Sequence, residues 1–170
     1  MGEAGHRYRD ANPVRRVMRS SGAWPGASWL YARTLHHLDG AVWRLSGGRA
    51  TFVSWVTGMP TVLLTTTGAK SGARRTLPLV AIPADDKLIV VASNYGRPRN
   101  PAWYHNLKAH PEVTATFDGS NREMTARVLE GEERERWYER GVEIYPGWIE
   151  YRRRTAAHRQ IPVIELTPAR

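Results

Sequence analysis

The stretch from Val62 to Leu79, VLLTTTGAKSGARRTLPL, decides the fold. It opens as an apolar, β-branched run, breaks at Gly68-Ala69-Lys70-Ser71-Gly72, and returns through Arg74 and Arg75 into a second apolar run. That is the pattern of a β-hairpin, with one strand over Thr61–Thr67 and its partner over Arg75–Ile82. Gly68 and Gly72 let the backbone turn with its N–H groups outward, and Lys70, Ser71, Arg74 and Arg75 surround the turn with donors. Such a connection suits a phosphate or a carboxylate. It is not a P-loop: the lysine follows the first glycine too closely, and a strand rather than a helix comes next. A glycine–cation turn also serves as a plain solvated loop that keeps a sheet edge soluble. On the residues alone the two readings stand level.

Working outward, Ser93 to Lys108, SNYGRPRNPAWYHNLK, closes a strand that starts at Lys87 and opens a helix over Pro101–Ala109, with Asn100 as its cap. The N–H groups of that helix start make a second anion-friendly turn. Val113–Phe117 and Glu123–Leu129 read as further strands, Glu130–Val142 as a charged helix, Trp148 to about His158 as a basic helix, and Ile161–Leu166 as the last strand. Short strands with few helices argue for an antiparallel barrel of the α+β class. Upstream, Tyr31, Leu35, Leu38, Val42 and Leu45 form a helical apolar stripe flanked by Trp29, Trp43, Arg33 and Arg44. This helix either rests on the main domain or lies at a membrane interface, the first being the commoner outcome. The division expected is a helical extension over residues 1–58 and a cofactor-binding barrel over residues 59–170.

A formal charge of +9 points to an anionic partner: nucleic acid, an anionic membrane surface or a polyanionic cofactor. Of the 25 basic residues 22 are Arg, which looks as much like genomic composition bias as selection for a surface. The absence of cysteine excludes disulfides, thiolate metal sites and a cysteine nucleophile. No apolar run approaches the ~20 residues needed to span a bilayer, and the opening MGEAGHRYRD lacks a signal-peptide core, so the expected location is the cytoplasm. His36-His37 diverge on a helix, and His105 and His110 are not spaced to face one metal; no metal is expected. No serine has an evident His-Asp partner. What remains is aromatic: Tyr145, Trp148 and Tyr151, spaced three apart around Pro146-Gly147, which either fill a core or wall a flat ligand with hydroxyls to donate.

The segments LLTTTGAKSGARRTLPL, ASNYGRPRNPAWYHNLKAHPEV, TARVLEGEERERWYERGVEIYPGWIEYRRRT and IPVIEL together resemble the deazaflavin-dependent nitroreductase family, actinobacterial oxidoreductases that use coenzyme F420. The likeness runs in order from about Val62 to Pro168. It implies a split β-barrel of the flavin-reductase type behind an N-terminal helical extension, and hydride transfer to an electron-poor acceptor: a quinone, an enone or a nitroaromatic. It places the coenzyme's phosphate and acidic tail at Lys70, Ser71, Arg74 and Arg75, with Arg97 and Arg99 on the same rim. The deazaflavin ring falls to Ala92, Ser93 and Asn94 (members often carry Lys at the last) and to the helix start Asn100, Pro101, Ala102 and Trp103. Tyr145 and Tyr151 fall on the acceptor side as the catalytic group, with Trp148 where the family can have Tyr. Flavin mononucleotide is the alternative cofactor. A non-catalytic basic binder of membranes or nucleic acid is the alternative function, opposed by the lack of any nucleic-acid motif. The partner expected is a small-molecule acceptor and not nucleic acid. The protein is expected to be a monomer, with peripheral contact to the inner face of the membrane through the N-terminal helix.

Overall fold

In a computed structural model, Pro13 and residues 58–169 are described. Six antiparallel strands, β1 Thr61–Thr67, β2 Arg74–Ala84, β3 Lys87–Val91, β4 Glu112–Phe117, β5 Ser120–Leu129 and β6 Val163–Pro168, close into a barrel in the order β1-β2-β3-β6-β5-β4. Three helices accompany them: α1 Ala102–Ala109, α2 Gly131–Ile144 and α3 Gly147–Thr155. This is the expected α+β barrel. The N-terminal helix, and with it the membrane contact attributed to it and the extension over residues 1–58, falls almost wholly outside the described residues.

Alternation of side chains along the strands explains why the apolar runs have the lengths they do. On β3, Leu88 and Val90 point into the barrel with Val62, Leu64, Met124, Ile164 and Leu166, joined by Trp103 and Leu107 of α1. The intervening Ile89 and Val91 point outward into a second core with Ile82, Leu129, Tyr138, Ile144, Trp148 and Val163. A strand buried on both faces reads as a continuous apolar run, which is how KLIVV appears in the sequence. The second core exists because α2 and α3 lie over that face of the barrel. On α2 the buried positions are Arg134, Tyr138, Gly141 and Ile144, one stripe of an otherwise charged helix.

The joint between α2 and α3 is tight. Tyr138 donates its hydroxyl to Trp148 O at 2.7 Å, and burial pushes that phenol's pKa up. Arg134 and Arg152 each hold a guanidinium 5.0 Å from the Tyr138 ring centroid. A Cβ on Gly141 would overlap the six-membered ring of Trp148 and come within 2.9 Å of Ile82 Cδ1. Alanine at this helical position gains about 1 kcal/mol of intrinsic propensity, but the indole is rigid and walled in, so overpacking of about 1–3 kcal/mol outweighs it. Gly141→Ala is expected to lower Tm by several degrees in a thermal melt; an unchanged Tm would show that the two helices separate freely.

Candidate functional site

Between β1 and β2 the chain turns at Gly68–Ala73, closed by hydrogen bonds from Gly68 N to Ala73 O and from Gly72 N to Gly68 O, each 2.9 Å. Ser71 folds back over the turn, its Oγ accepting from Ala73 N at 3.3 Å, and it is exposed along with Lys70, Arg74 and Arg75. The turn is fastened from below. Asn106, buried on α1, accepts from Ala69 N at 3.0 Å through Oδ1 and donates to Thr66 Oγ1 at 3.1 Å through Nδ2. Sequence reasoning passed over Asn106. Asn106→Ala leaves a part-buried N–H and a buried hydroxyl without this partner, an expected cost of about 1–3 kcal/mol. The loss is read as a lower Tm together with faster amide exchange at Ala69.

Elsewhere on the surface several cations stand in ion pairs, whereas among the described residues the exposed Lys108, Arg122 and Arg136 do not. Arg127 meets Glu133 at 2.9 Å, Arg152 meets Glu135 and Glu139 at 2.7 Å, and Arg153 and Arg154 meet Glu150 at 2.8 and 3.0 Å. Bonding to Arg153, and then to Arg154, holds the Glu150 carboxyl down at about 2. Among the described residues Lys70, Arg74, Arg75, Arg97 and Arg99 form no ion pair. Arg74 donates instead to Thr114 Oγ1 at 2.7 Å. The cations of the glycine turn and of the segment after β3 therefore face solvent without a carboxylate to balance them.

That segment, Ala92 to Asn100, leads directly into α1. Ala92 is fully buried, Ser93 and Asn94 are half-buried, and Asn94 donates Nδ2 to Arg99 O at 2.8 Å. Asn100 does not cap α1 as expected. Pro101 is the cap residue and no side chain bonds the helix end, because Asn100 Oδ1 is taken by the Arg159 guanidinium at 2.8 Å. A charged donor outcompetes a backbone N–H for that oxygen. The first amides of α1, at the exposed Ala102 and the buried Trp103, take no backbone acceptor; Tyr104 N bonds Pro101 O at 3.1 Å. One helix thus serves two loops, its start following the Ala92–Asn100 segment and its Asn106 gripping the glycine turn.

The three aromatic candidates converge in the second core. Tyr145, Trp148 and Tyr151 are all buried, the Tyr145 and Tyr151 hydroxyls are 3.0 Å apart, and Trp148 stands edge-on to Tyr145 at 5.9 Å. Tyr151 also meets Tyr95 edge-on at 6.4 Å, so the hydroxyl pair backs onto the segment after β3.

A family model described as F420H(2)-dependent quinone reductase matches residues 38–168. The chain belongs to this family. An F420H(2)-dependent quinone reductase of Mycobacterium tuberculosis is 37% identical over 113 residues, covering 64% of this chain and 73% of the relative. A solved F420-H2 dependent reductase, FDR-A, is 46% identical with a TM-score of 0.58, covering 63% of this chain and 93% of that one. A second solved structure, 41% identical with a TM-score of 0.61 over 75% of this chain and 94% of its own, is a domain-swapped dimer.

Membership in the F420H(2)-dependent quinone reductase family makes the protein an oxidoreductase whose cofactor is coenzyme F420, which decides against flavin mononucleotide and against the non-catalytic reading. The dimer among its relatives leaves the expected monomer without support. The donor set suits this cofactor: unbalanced cations at the glycine turn and along Arg97–Arg99 match a phosphate and a carboxylate-bearing tail. No helix among the described residues is long and apolar enough to cross a membrane.

Proposed function

We propose that the protein reduces quinones at the expense of reduced coenzyme F420, within a cofactor-binding domain over residues 59–170. The observation that carries the reading is the set of cations without carboxylate partners around a glycine turn that Asn106 holds in place. In it Lys70, Ser71, Arg74 and Arg75 receive the phosphate and acidic tail, with Arg97 and Arg99 on the rim. Ala92, Ser93 and Asn94, with the helix start at Asn100, Pro101, Ala102 and Trp103, face the ring. When bound, the coenzyme supplies a hydride.

The chain's own residues orient, exclude water and handle a proton. Reduction of a quinone to a hydroquinone takes one hydride and one proton. In this reading the hydroxyls of Tyr145 and Tyr151, 3.0 Å apart, supply the proton, with Trp148 edge-on to the Tyr145 ring. Holding the reactants together supplies most of the acceleration, so no acid of unusual pKa is required. Enones and nitroaromatics are a second acceptor class for the same chemistry. Lipid-soluble quinones reside in membranes, and this reading sets the enzyme in the cytoplasm at the inner membrane face.

Titrating the pure protein with coenzyme F420 and, separately, flavin mononucleotide tests the reading, followed by turnover with menadione, an enone and a nitroaromatic. Tight deazaflavin binding and fastest menadione turnover are expected. Uptake of flavin mononucleotide alone would overturn the cofactor placement.

A further inference from the structure

Arg159 lies outside every stretch singled out in the sequence, and it makes four side-chain hydrogen bonds. It sits just past α3, where its backbone N–H donates to Thr155 O at 2.9 Å. From that root its guanidinium crosses to the segment after β3. Nε donates to Arg97 O at 3.1 Å, Nη1 to Ala92 O at 3.2 Å and to Asn100 Oδ1 at 2.8 Å, and Nη2 to Ser93 O at 2.8 Å. Five N–H donors in a rigid plane make arginine the side chain able to hold several acceptors in one fixed arrangement. All four acceptors here are neutral, and burial pulls the guanidinium below its usual pKa. A partly buried cation held only by carbonyls and an amide is a costly device for merely closing a loop.

The segment it holds needs holding. Asn94, Tyr95 and Gly96 have φ of 48°, 55° and 74°, three consecutive left-handed residues of which only the last is a glycine. L-residues avoid this region, and runs of it persist only where the surroundings over-determine them. Gly96 is pressed on α3, where a Cβ would lie 3.2 Å from Tyr151 Cα and 3.2 Å from Arg154 Cδ. Arg159 fixes the other side. In a trans peptide the N–H points opposite to the carbonyl it shares a plane with. Anchoring Ser93 O therefore turns the Asn94 N–H away from Arg159, and that N–H takes no backbone acceptor among the described residues.

We propose that Arg159 is a positioning residue for the coenzyme ring: by holding the carbonyls of Ala92, Ser93 and Arg97 it shapes the left-handed turn and presents the Asn94 N–H to the deazaflavin. The proposal rests on the functional reading above and goes beyond it, since it assigns ring placement to a residue that does not itself touch the ring.

The test uses the full chain as wild type, Arg159→Ala and Arg159→Lys. Hydrogen exchange without coenzyme should show faster exchange at the Gly96 and Arg97 amides, which donate to Ser93 O and Asn94 O at 3.0 Å, with the barrel strands unchanged. Coenzyme affinity by fluorescence quenching should fall roughly ten- to thirtyfold in Arg159→Ala, as for a displaced binding element. That loss should be nearly independent of salt and partly restored in Arg159→Lys, whose single ammonium reaches fewer acceptors. Wild-type affinity in Arg159→Ala alongside a lowered Tm would reduce Arg159 to a structural staple and overturn the proposal, as would unchanged exchange at Gly96 and Arg97. Failure of the wild type to take up the coenzyme would overturn the functional reading and the ring assignment with it. The exchange data would still decide whether Arg159 orders the turn.

Discussion

Tyr151→Phe and Tyr145→Phe are each expected to lower turnover with menadione by roughly ten- to a thousandfold, the range for losing one polar contact made in a transition state. Phenylalanine keeps the ring and so its packing with Trp148 and Tyr95. It deletes one end of the 3.0 Å hydroxyl pair. If these hydroxyls orient or protonate the acceptor, kcat falls while coenzyme affinity, set by the cations of the glycine turn, stays near wild type. A packing role makes the opposite forecast. Turnover is then unchanged in both Phe variants, Tm drops slightly because a buried hydroxyl loses its partner, and Ala at either position costs about 3–5 kcal/mol as for any buried aromatic removed. Steady-state kinetics beside melting curves separate the two, and full activity in both Phe variants would leave the tyrosines as core.

The barrel was legible in the sequence because its strands are bounded by turn chemistry and filled by alternation. β1 spans Thr61–Thr67 as read, and β3 differs from its expected end by two residues. The strands β2 and β5 run longer than read: β2 carries on through Pro83 and Ala84, paired with Leu88 and Lys87, and both strands start earlier for one reason. Arg74 and the Ser120–Arg122 stretch are polar and exposed, yet their backbones stay on the ladder opposite Thr67 and Phe117–Ala115. Apolar periodicity reports which side chains are buried and is silent about pairing that continues past them. The charged helix α2 is less solvated than its composition suggests, since Arg134 is buried and donates to Ile161 O through Nε at 3.1 Å and Nη2 at 2.8 Å.

The site divides in the same way. Its cations and glycines are contiguous, and a reader of the sequence finds them. The residues that hold those elements in place are not contiguous with them. Asn106 reaches partners 37 and 40 residues away, and Arg159 reaches partners 59 to 67 residues away. In a chain with 22 arginines nothing local sets Arg159 apart. The left-handed turn was equally hidden, because Asn94 tolerates positive φ without announcing it and Tyr95 takes it through tertiary constraint against its own preference. Asn100 shows the reverse error. Its position before Pro101 is a sound capping signal, and it is overridden by a cation that arrives from the far end of the chain.

Lys70→Ala and Arg75→Ala are each expected to weaken coenzyme F420 binding by about ten- to a hundred-and-fifty-fold, the equivalent of about 1.5–3 kcal/mol for a charge-assisted contact. Neither cation has a carboxylate partner among the described residues, so removing it breaks no internal ion pair, and Tm should hold. Both side chains are exposed, which makes their attraction for an anion sensitive to screening. With a Debye length of about 30 Å at 0.01 M salt and about 3 Å at 1 M, the wild type gains most from these cations when salt is low. The gap between wild type and variant should therefore be wide at low ionic strength and narrow as salt rises, the opposite of the nearly salt-independent loss forecast for Arg159→Ala. Arg74→Ala should fall between, because its guanidinium is already engaged by Thr114 Oγ1 at 2.7 Å and has less to offer a ligand. Fluorescence quenching across a salt series measures all three on one scale. Wild-type affinity in both Lys70→Ala and Arg75→Ala at low salt would remove the glycine turn from the coenzyme site and return it to the plain solvated loop that its sequence equally allows.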